Sequence, residues 1–185
     1  MSSIFTSHPF QNGYTWTITS KIGHILQEAE KRFGERDKSY SILGVEFNQD
    51  GHPRIWYPGD CKNIVIQISL SCINDLNRAV FQVSHELIHC LSPTGIKSAN
   101  CLEEGLANLF SIEYTRDNRH GIWTSSDPKY TAASKLVEEL FAIDNDIIKK
   151  VRNIIPTISL IDKETLIKAN SSIPEELAEK LTVKF

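Results

Sequence analysis

Residues 84–91 read SHELIHCL and place two histidines four positions apart, His85 and His89, with Glu86 directly after the first. Residues four apart lie on one face of an α-helix, with their Cβ atoms about 6 Å from each other. Both imidazoles can therefore reach one ion at the usual Zn–N distance of about 2.0–2.1 Å. Glu86 is rotated about 100° from His85, so it is placed to reach a water beside the ion. The alternative is two exposed histidines on a solvated helix face.

The residues around this motif predict a helix with two different faces. Asn74 or Asp75 is a suitable N-cap, and Ser92-Pro93 ends the helix. On a helical wheel, the histidines fall on a stripe nearly opposite the apolar stripe that faces the core. The apolar stripe is Leu76, Val80, Val83, Leu87 and Leu91, and the second stripe is Arg78, Gln82, His85 and His89.

The next predicted helix, over about 100–114, supplies a carboxylate at the start of its own polar stripe. Glu104 begins this stripe and is the predicted third metal ligand, since carboxylate oxygens suit zinc. Glu103 is the competitor, rotated about 100° onto the flank of the apolar stripe. Gly105 either allows close helix approach or is an unremarkable small residue. The apolar stripe is Leu102, Leu106, Leu109 and Phe110, and the polar stripe is Glu104, Asn108, Ser111 and Thr115.

The elements before and after these two helices predict the α+β class. A helix is predicted over 20–34, and strands over 40–48, 54–57 and 64–71, with Asp50-Gly51 as a hairpin turn between the first two strands. In the third strand Ile64, Ile66, Ile68 and Leu70 form one apolar face. Strands come early and helices dominate later, which favours α+β over alternating βαβ units. The later helices are predicted over about 129–142 and 144–155, with a further helix start at Ser172-Ile173-Pro174-Glu175.

The bulk properties narrow the classes of function. The chain has 185 residues, which suits one domain, and a formal charge of −3, which does not indicate nucleic-acid binding. The N-terminus does not resemble a signal peptide, and no apolar stretch is long enough for a membrane span, so a cytoplasmic location without membrane association is expected. The four cysteines should then be reduced. Cys90 and Cys101 either lie near the metal or, as is commoner, are small buried residues. Nothing in the sequence indicates the oligomeric state.

The motif His85-Glu86-Leu87-Ile88-His89, followed by Glu104 within Glu103–Ala107, resembles the gluzincin zinc metallopeptidases in a minimal single-domain form. In that clan the glutamate directly before the glycine is the third zinc ligand. Cys101-Leu102 replaces the usual Trp-Leu. The resemblance implies a zinc ion on His85, His89 and Glu104, with Glu86 as the general base acting on a peptide or protein substrate. It also implies a zincin-like fold, with a small mixed sheet packed on the active-site helix and the 64–71 strand along the substrate cleft.

On this interpretation residues 1–185 form one zincin-like metallopeptidase domain. Residues 1–98 hold the sheet and the active-site helix, and residues 99–185 form a mainly helical part that carries the third ligand. Within the second part, Tyr114, His120 and Tyr130 are candidate donors to the oxyanion. Asn108 is either a support for the ligands or a solvated polar side chain.

The segment from the third strand through His85-Glu86 also resembles the ImmA/IrrE-type peptidases, which cleave repressors in bacteria and phages. The Ala107–Phe110 segment matches the Ala-Asn-x-Phe part of their sequence motif, although the spacing between the glutamate and this part differs. This resemblance implies a toxin or regulatory protease of a two-gene system that acts on one protein target. A further alternative is a zincin-like binding module that keeps zinc but does not catalyse.

Overall fold

The computed structural model describes residues 3–95 and 99–185, and it has the predicted α+β class. A small mixed sheet comes first and a mainly helical half follows. Residue 98, where the sequence placed the end of the first part, lies outside the described residues. The strands are β1 (Pro9–Phe10), β2 (Gly13–Tyr14), β3 (Ser41–Asn48), β4 (Arg54–Trp56) and β5 (Asn63–Ser69). The helices are α1 (Ile18–Phe33), α2 (Leu76–His89), α3 (Cys101–Asp117), α4 (Pro128–Ile143), α5 (Ile147–Arg152), α6 (Lys163–Ala169) and α7 (Glu175–Thr182).

Strand β5 is the centre of the three-stranded sheet. It pairs in parallel with β3 on one side and antiparallel with β4 on the other. Its alternating pattern predicts one buried face, and Ile64, Ile66 and Ile68 are all fully buried. The prediction that Leu70 continues this face is wrong. Leu70 begins a 3-10 turn and is 46% exposed, because the strand ends at Ser69.

The predicted hairpin between β3 and β4 is also wrong. The chain does turn at Asp50-Gly51, where Gly51 has a φ of 83°. However, β5 lies between the two strands and pairs with both of them. The turn reverses the chain direction but does not decide which strands pair, and β5, with its fully buried apolar face, takes the centre of the sheet.

A row of polar side chains joins the three strands. Glu46 Oε1 accepts hydrogen bonds from Gln67 Nε2 at 2.6 Å and from Trp56 Nε1 at 2.9 Å. Arg54 Nε donates to Gln67 Oε1 at 2.7 Å. Cross-strand pairs of this kind hold the register of the short strand β4 at the sheet edge.

Helix α3 is buried along most of its length, which corrects the prediction of a polar stripe opposite its core stripe. Asn108, Ser111 and Thr115 are all buried, because α4 packs against this side of α3. Gly105 makes the close approach possible: a Cβ added there would lie 2.5 Å from the carbonyl oxygen of Ala133. The close contact that this glycine permits is therefore with α4.

The buried polar groups of α3 are paired. Asn108 Nδ2 donates to Ser134 Oγ at 2.6 Å and to the Tyr130 carbonyl oxygen at 3.3 Å. The Ser111 and Thr115 hydroxyls donate to carbonyl oxygens one turn earlier in the helix. Asn108 is thus not solvated, and its amide nitrogen bonds to α4, where it fixes the backbone of Tyr130.

Helices α1, α2, α3, α4 and α6 have an N-cap side chain that accepts a backbone hydrogen bond, whereas α5 and α7 do not. Asp75 caps α2 by accepting from the Arg78 amide, and Asn100 caps α3 by accepting from the Glu103 amide. Helix α5 is shorter than predicted, whereas α3 runs on to Asp117. The cap predicted at Ser172 is wrong, because Pro174 takes the N-cap position of α7 and makes no side-chain cap.

Two features bear on the expected environment of the chain. Cys90 and Cys101 are free and buried, as predicted for small apolar residues; Cys72 is also free and buried, whereas Cys61 is free and exposed. Within the described ranges, none of the helices combines the length and apolar character that crossing a bilayer requires.

Candidate metal centre

Helices α2 and α3 bring His85, His89 and Glu104 together. One potential ligand atom from each lies within 4.8 Å of the others. His85 Nε2 is 3.2 Å from Glu104 Oε2, and His89 Nε2 is 3.7 Å from Glu104 Oε1. Ligand atoms around a tetrahedral zinc ion are about 3.3 Å apart, from metal–ligand distances of about 2.0–2.2 Å. The trio predicted from the sequence is therefore close enough together to hold a metal ion.

These side chains do not lie on a solvated face. The side chains of His85, His89 and Glu104 are only 16%, 13% and 14% exposed. The alternative of two exposed histidines sharing a helix surface is wrong, because α3 packs across the histidine stripe of α2.

The Glu104 carboxylate has an unsatisfied oxygen. Oε2 is buried and makes no hydrogen bond of good geometry, although His85 Nε2 is 3.2 Å away. The distance suits an electrostatic contact between the two atoms. A buried carboxylate oxygen without a partner costs free energy, and a cation between these atoms would remove that cost. The donor set thus fits a divalent metal.

Glu103 lies on the other side of the His89 ring. Its carboxylate is buried, and Oε1 is 3.0 Å from His89 Nδ1. The sequence interpretation considered Glu103 only as a competing ligand. Glu103 and Glu104 are offset by about 100° around the helix, so their carboxylates can contact different edges of one ring. This offset was the sequence feature that could have indicated a separate role for Glu103.

The centre concentrates negative charge. Burial lowers the pKa of His89, but Glu104 and Glu103 outweigh this effect and raise it to about 10. Burial raises the pKa of Glu104, yet His89 and His85 bring it below its usual value. Burial raises the pKa of Glu86, with partial opposition from the two histidines. In the described part of the chain, the ion pairs of Glu103 and Glu104 involve only histidines, so the cluster favours an added cation.

The three potential ligands open into a cleft of about 930 Å³. Glu86 lines this cleft beside them and is itself buried. Its position on α2, one residue after His85, keeps it out of the ligand group and next to it, as the motif predicts. The role of Glu86 stays a prediction.

Of the three candidate oxyanion donors, Tyr130 lines the cleft. Its ring centroid is 5.6 Å from that of His85. Tyr114 lies elsewhere, with its hydroxyl 2.6 Å from His24 Nδ1, and His120 Nδ1 is 2.8 Å from Asn77 Oδ1. Burial, with smaller contributions from Glu104 and Glu86, raises the pKa of Tyr130 to about 12. Its phenol therefore stays protonated at neutral pH and can donate a hydrogen bond.

The strand that lines the cleft is β4, which corrects the expectation that residues 64–71 would do so. Arg54, Ile55 and Trp56 all contribute atoms to the wall of the cleft. Strand β5 pairs along both edges, whereas β4 pairs with a neighbour along one edge in the described part. Of these two strands, β4 is therefore the one that can offer free backbone groups to a bound chain in the cleft.

The segment 183–185 forms a further wall of the cleft, which no local sequence pattern predicts. The Phe185 amide donates to the Ala99 carbonyl oxygen at 3.2 Å, and the Cys101 amide donates to the Val183 carbonyl oxygen at 2.9 Å. The Phe185 ring packs on Tyr130 with centroids 4.9 Å apart. This contact brings together residues 55 positions apart, so local patterns could not predict it.

No protein-family model matches the chain, and neither a curated protein nor a solved structure does. The function is therefore derived from the residues of the cleft and from the contacts between them.

The arrangement combines three chemical capabilities. His85, His89 and Glu104 can hold a divalent cation, with Nε2 of both rings turned toward the carboxylate. Glu86 can accept a proton close to that cation. Tyr130 can donate a hydrogen bond across the cleft from them.

Proposed function

We propose that the chain is a zinc-dependent peptidase of zincin-like fold that hydrolyses a peptide or protein substrate in the β4–α2 cleft. The observation that carries the proposal is the Glu104 carboxylate, whose buried, unpaired Oε2 lies 3.2 Å from His85 Nε2 and whose Oε1 lies 3.7 Å from His89 Nε2, with Glu86 one residue away from the first ligand. A zinc ion held by His85, His89 and Glu104 would polarise the scissile carbonyl and make a nearby water more acidic.

Glu86 acts as the general base. Its carboxylate accepts a proton from the attacking water and passes this proton to the leaving amine when the C–N bond breaks. The products are a carboxylate and an amine, so one water is consumed for each bond. Burial of Glu86 suits this role, since it raises the pKa of the group that must both take up and release a proton.

Tyr130 donates a hydrogen bond to the carbonyl oxygen as negative charge develops there. Its phenol is kept protonated by burial, and its backbone is fixed by the hydrogen bond from Asn108. A donor that is already oriented needs no reorganisation when the charge appears.

The free edge of β4 favours an extended peptide as the substrate. A peptide laid along Arg54–Trp56 would add a strand to the sheet and pass over the candidate metal centre. Backbone pairing binds peptides of many sequences, so this surface suits peptide bonds better than a small metabolite.

The first experiment compares wild type with Glu86→Gln in zinc content and in hydrolysis of a broad peptide library. We expect equal zinc in both, and hydrolysis reduced by about 10²–10⁴-fold in the variant, because only the base is lost. Glu138→Gln, an exposed change on α4, is the matched control and should behave as wild type.

Two results would contradict the proposal. If wild type binds no zinc, the metal centre is wrong. If both proteins bind zinc and neither cleaves any peptide, the chain is the non-catalytic binding module instead. Cleavage restricted to one protein target would favour the regulatory protease that the ImmA/IrrE resemblance implies.

A further inference from the structure

We infer that Glu103 is a positioning residue: its carboxylate holds the His89 ring so that Nε2, and not Nδ1, is presented to the metal. The inference rests on the proposed metal centre and adds a second carboxylate with a different task. Glu103 and Glu104 are neighbours in α3, yet each meets a different nitrogen of the same imidazole.

The distances define the two tasks. Glu103 Oε1 lies 3.0 Å from His89 Nδ1, within hydrogen-bond range, while Glu104 Oε1 lies 3.7 Å from His89 Nε2. The two nitrogens are on opposite edges of the ring. Glu103 therefore contacts the Nδ1 edge of the His89 ring. Glu104 lies at the Nε2 edge, where His85 Nε2 also lies.

Hydrogen-bond chemistry fixes the direction of the ring. An ionised carboxylate can only accept, so His89 Nδ1 must carry the hydrogen of this bond. With Nδ1 engaged by Glu103, the nitrogen that can give up its hydrogen and coordinate a metal is Nε2. Without Glu103, the ring could rotate or take the other tautomer, and metal binding would first have to select the competent form.

Glu103 is itself held in place. Its amide donates to Asn100 Oδ1 at 2.9 Å, which fixes it in the first turn of α3. Its side chain is only 7% exposed, so the carboxylate has little freedom to leave the ring. A carboxylate in the first turn also interacts favourably with the helix dipole, which is the purely structural role that a test must separate.

The test measures zinc affinity by competition with a chelator for wild type, Glu103→Ala and Glu103→Gln. We expect Glu103→Ala to weaken zinc binding about 10–100-fold, the usual effect of losing a residue that orients a ligand. Glu103→Gln keeps an acceptor and should lie between the two. Glu113→Gln is the matched control, because Glu113 is a carboxylate of the same helix that pairs with Arg32 instead. It should bind zinc as wild type does.

A second readout is independent of zinc. In metal-free wild type, NMR should detect a hydrogen-bonded His89 Nδ1–H proton that is lost in Glu103→Ala. A purely structural role would lower the melting temperature and leave zinc affinity unchanged in the folded Glu103→Gln protein. That result, or the absence of the Nδ1–H proton in wild type, would overturn the inference. If the proton is present but wild type binds no zinc, the metal centre fails and the His89–Glu103 contact stands.

Discussion

Glu103 and Glu104 differ by one position and have the same side chain, yet their surroundings separate them. Glu104 has a buried oxygen without a hydrogen-bond partner, whereas Glu103 is paired with His89 Nδ1. The wheel correctly directed Glu104 toward the histidines. It could not assign a task to Glu103, because a position on the flank of an apolar stripe does not reveal which ring atom lies opposite.

A second single-residue prediction concerns the Tyr130 hydroxyl. Tyr130→Phe removes the hydrogen-bond donor and keeps the ring that packs on His85 and Phe185. We expect kcat/KM for peptide hydrolysis to fall about 10²–10³-fold, as for the loss of one oxyanion donor, with zinc affinity unchanged.

Tyr114→Phe is the control for this prediction, because the Tyr114 hydroxyl contacts His24 and does not line the cleft. Equal hydrolysis by wild type and Tyr130→Phe would show that the phenol does not stabilise the transition state. The oxyanion donor would then have to be another group of the cleft.

At the scale of elements, the contact between α3 and α4 depends on Gly105. Gly105→Ala would place a methyl group 2.5 Å from the Ala133 carbonyl oxygen, and backbone cannot move aside as a flexible side chain can. We expect the free energy of unfolding to fall by about 2 kcal/mol, typical of overpacking, when measured by urea denaturation.

Gly23→Ala is the matched control in α1, where an added Cβ meets no atom within 4 Å. Alanine is the better helix former, so this variant should be more stable by up to about 1 kcal/mol. A Gly105→Ala protein as stable as Gly23→Ala would mean that the two helices do not approach as closely as described.

The two helices of the candidate centre were predictable from the sequence because their signals are local. Asp75 caps α2 as expected, α3 begins next to Asn100 as expected, and the period of 3.6 residues places the histidines on one face. The strand partners were not predictable in this way. The Asp50-Gly51 turn indicates a reversal, but the position of β5 between β3 and β4 depends on burial of the whole sheet.

Over the whole molecule, contacts between residues close together in the sequence could be predicted, whereas contacts between residues far apart in the sequence could not. The ligand trio spans 20 positions from His85 to Glu104, and its spacing within two helices is enough to bring it together. The walls of the cleft come from β4 and from residues 183–185, which reach it only through tertiary packing. The position of α4 also depends on tertiary packing, so the sequence did not predict that the polar stripe on α3 would be buried.

The most direct test is anomalous diffraction at the zinc edge from crystals of the zinc-loaded protein. We predict one strong peak in the cleft, coordinated by His85 Nε2, His89 Nε2 and the Glu104 carboxylate, with Glu103 still bonded to His89 Nδ1. A peak coordinated by Glu103 in place of Glu104, or no peak between α2 and α3, would contradict the proposed metal centre.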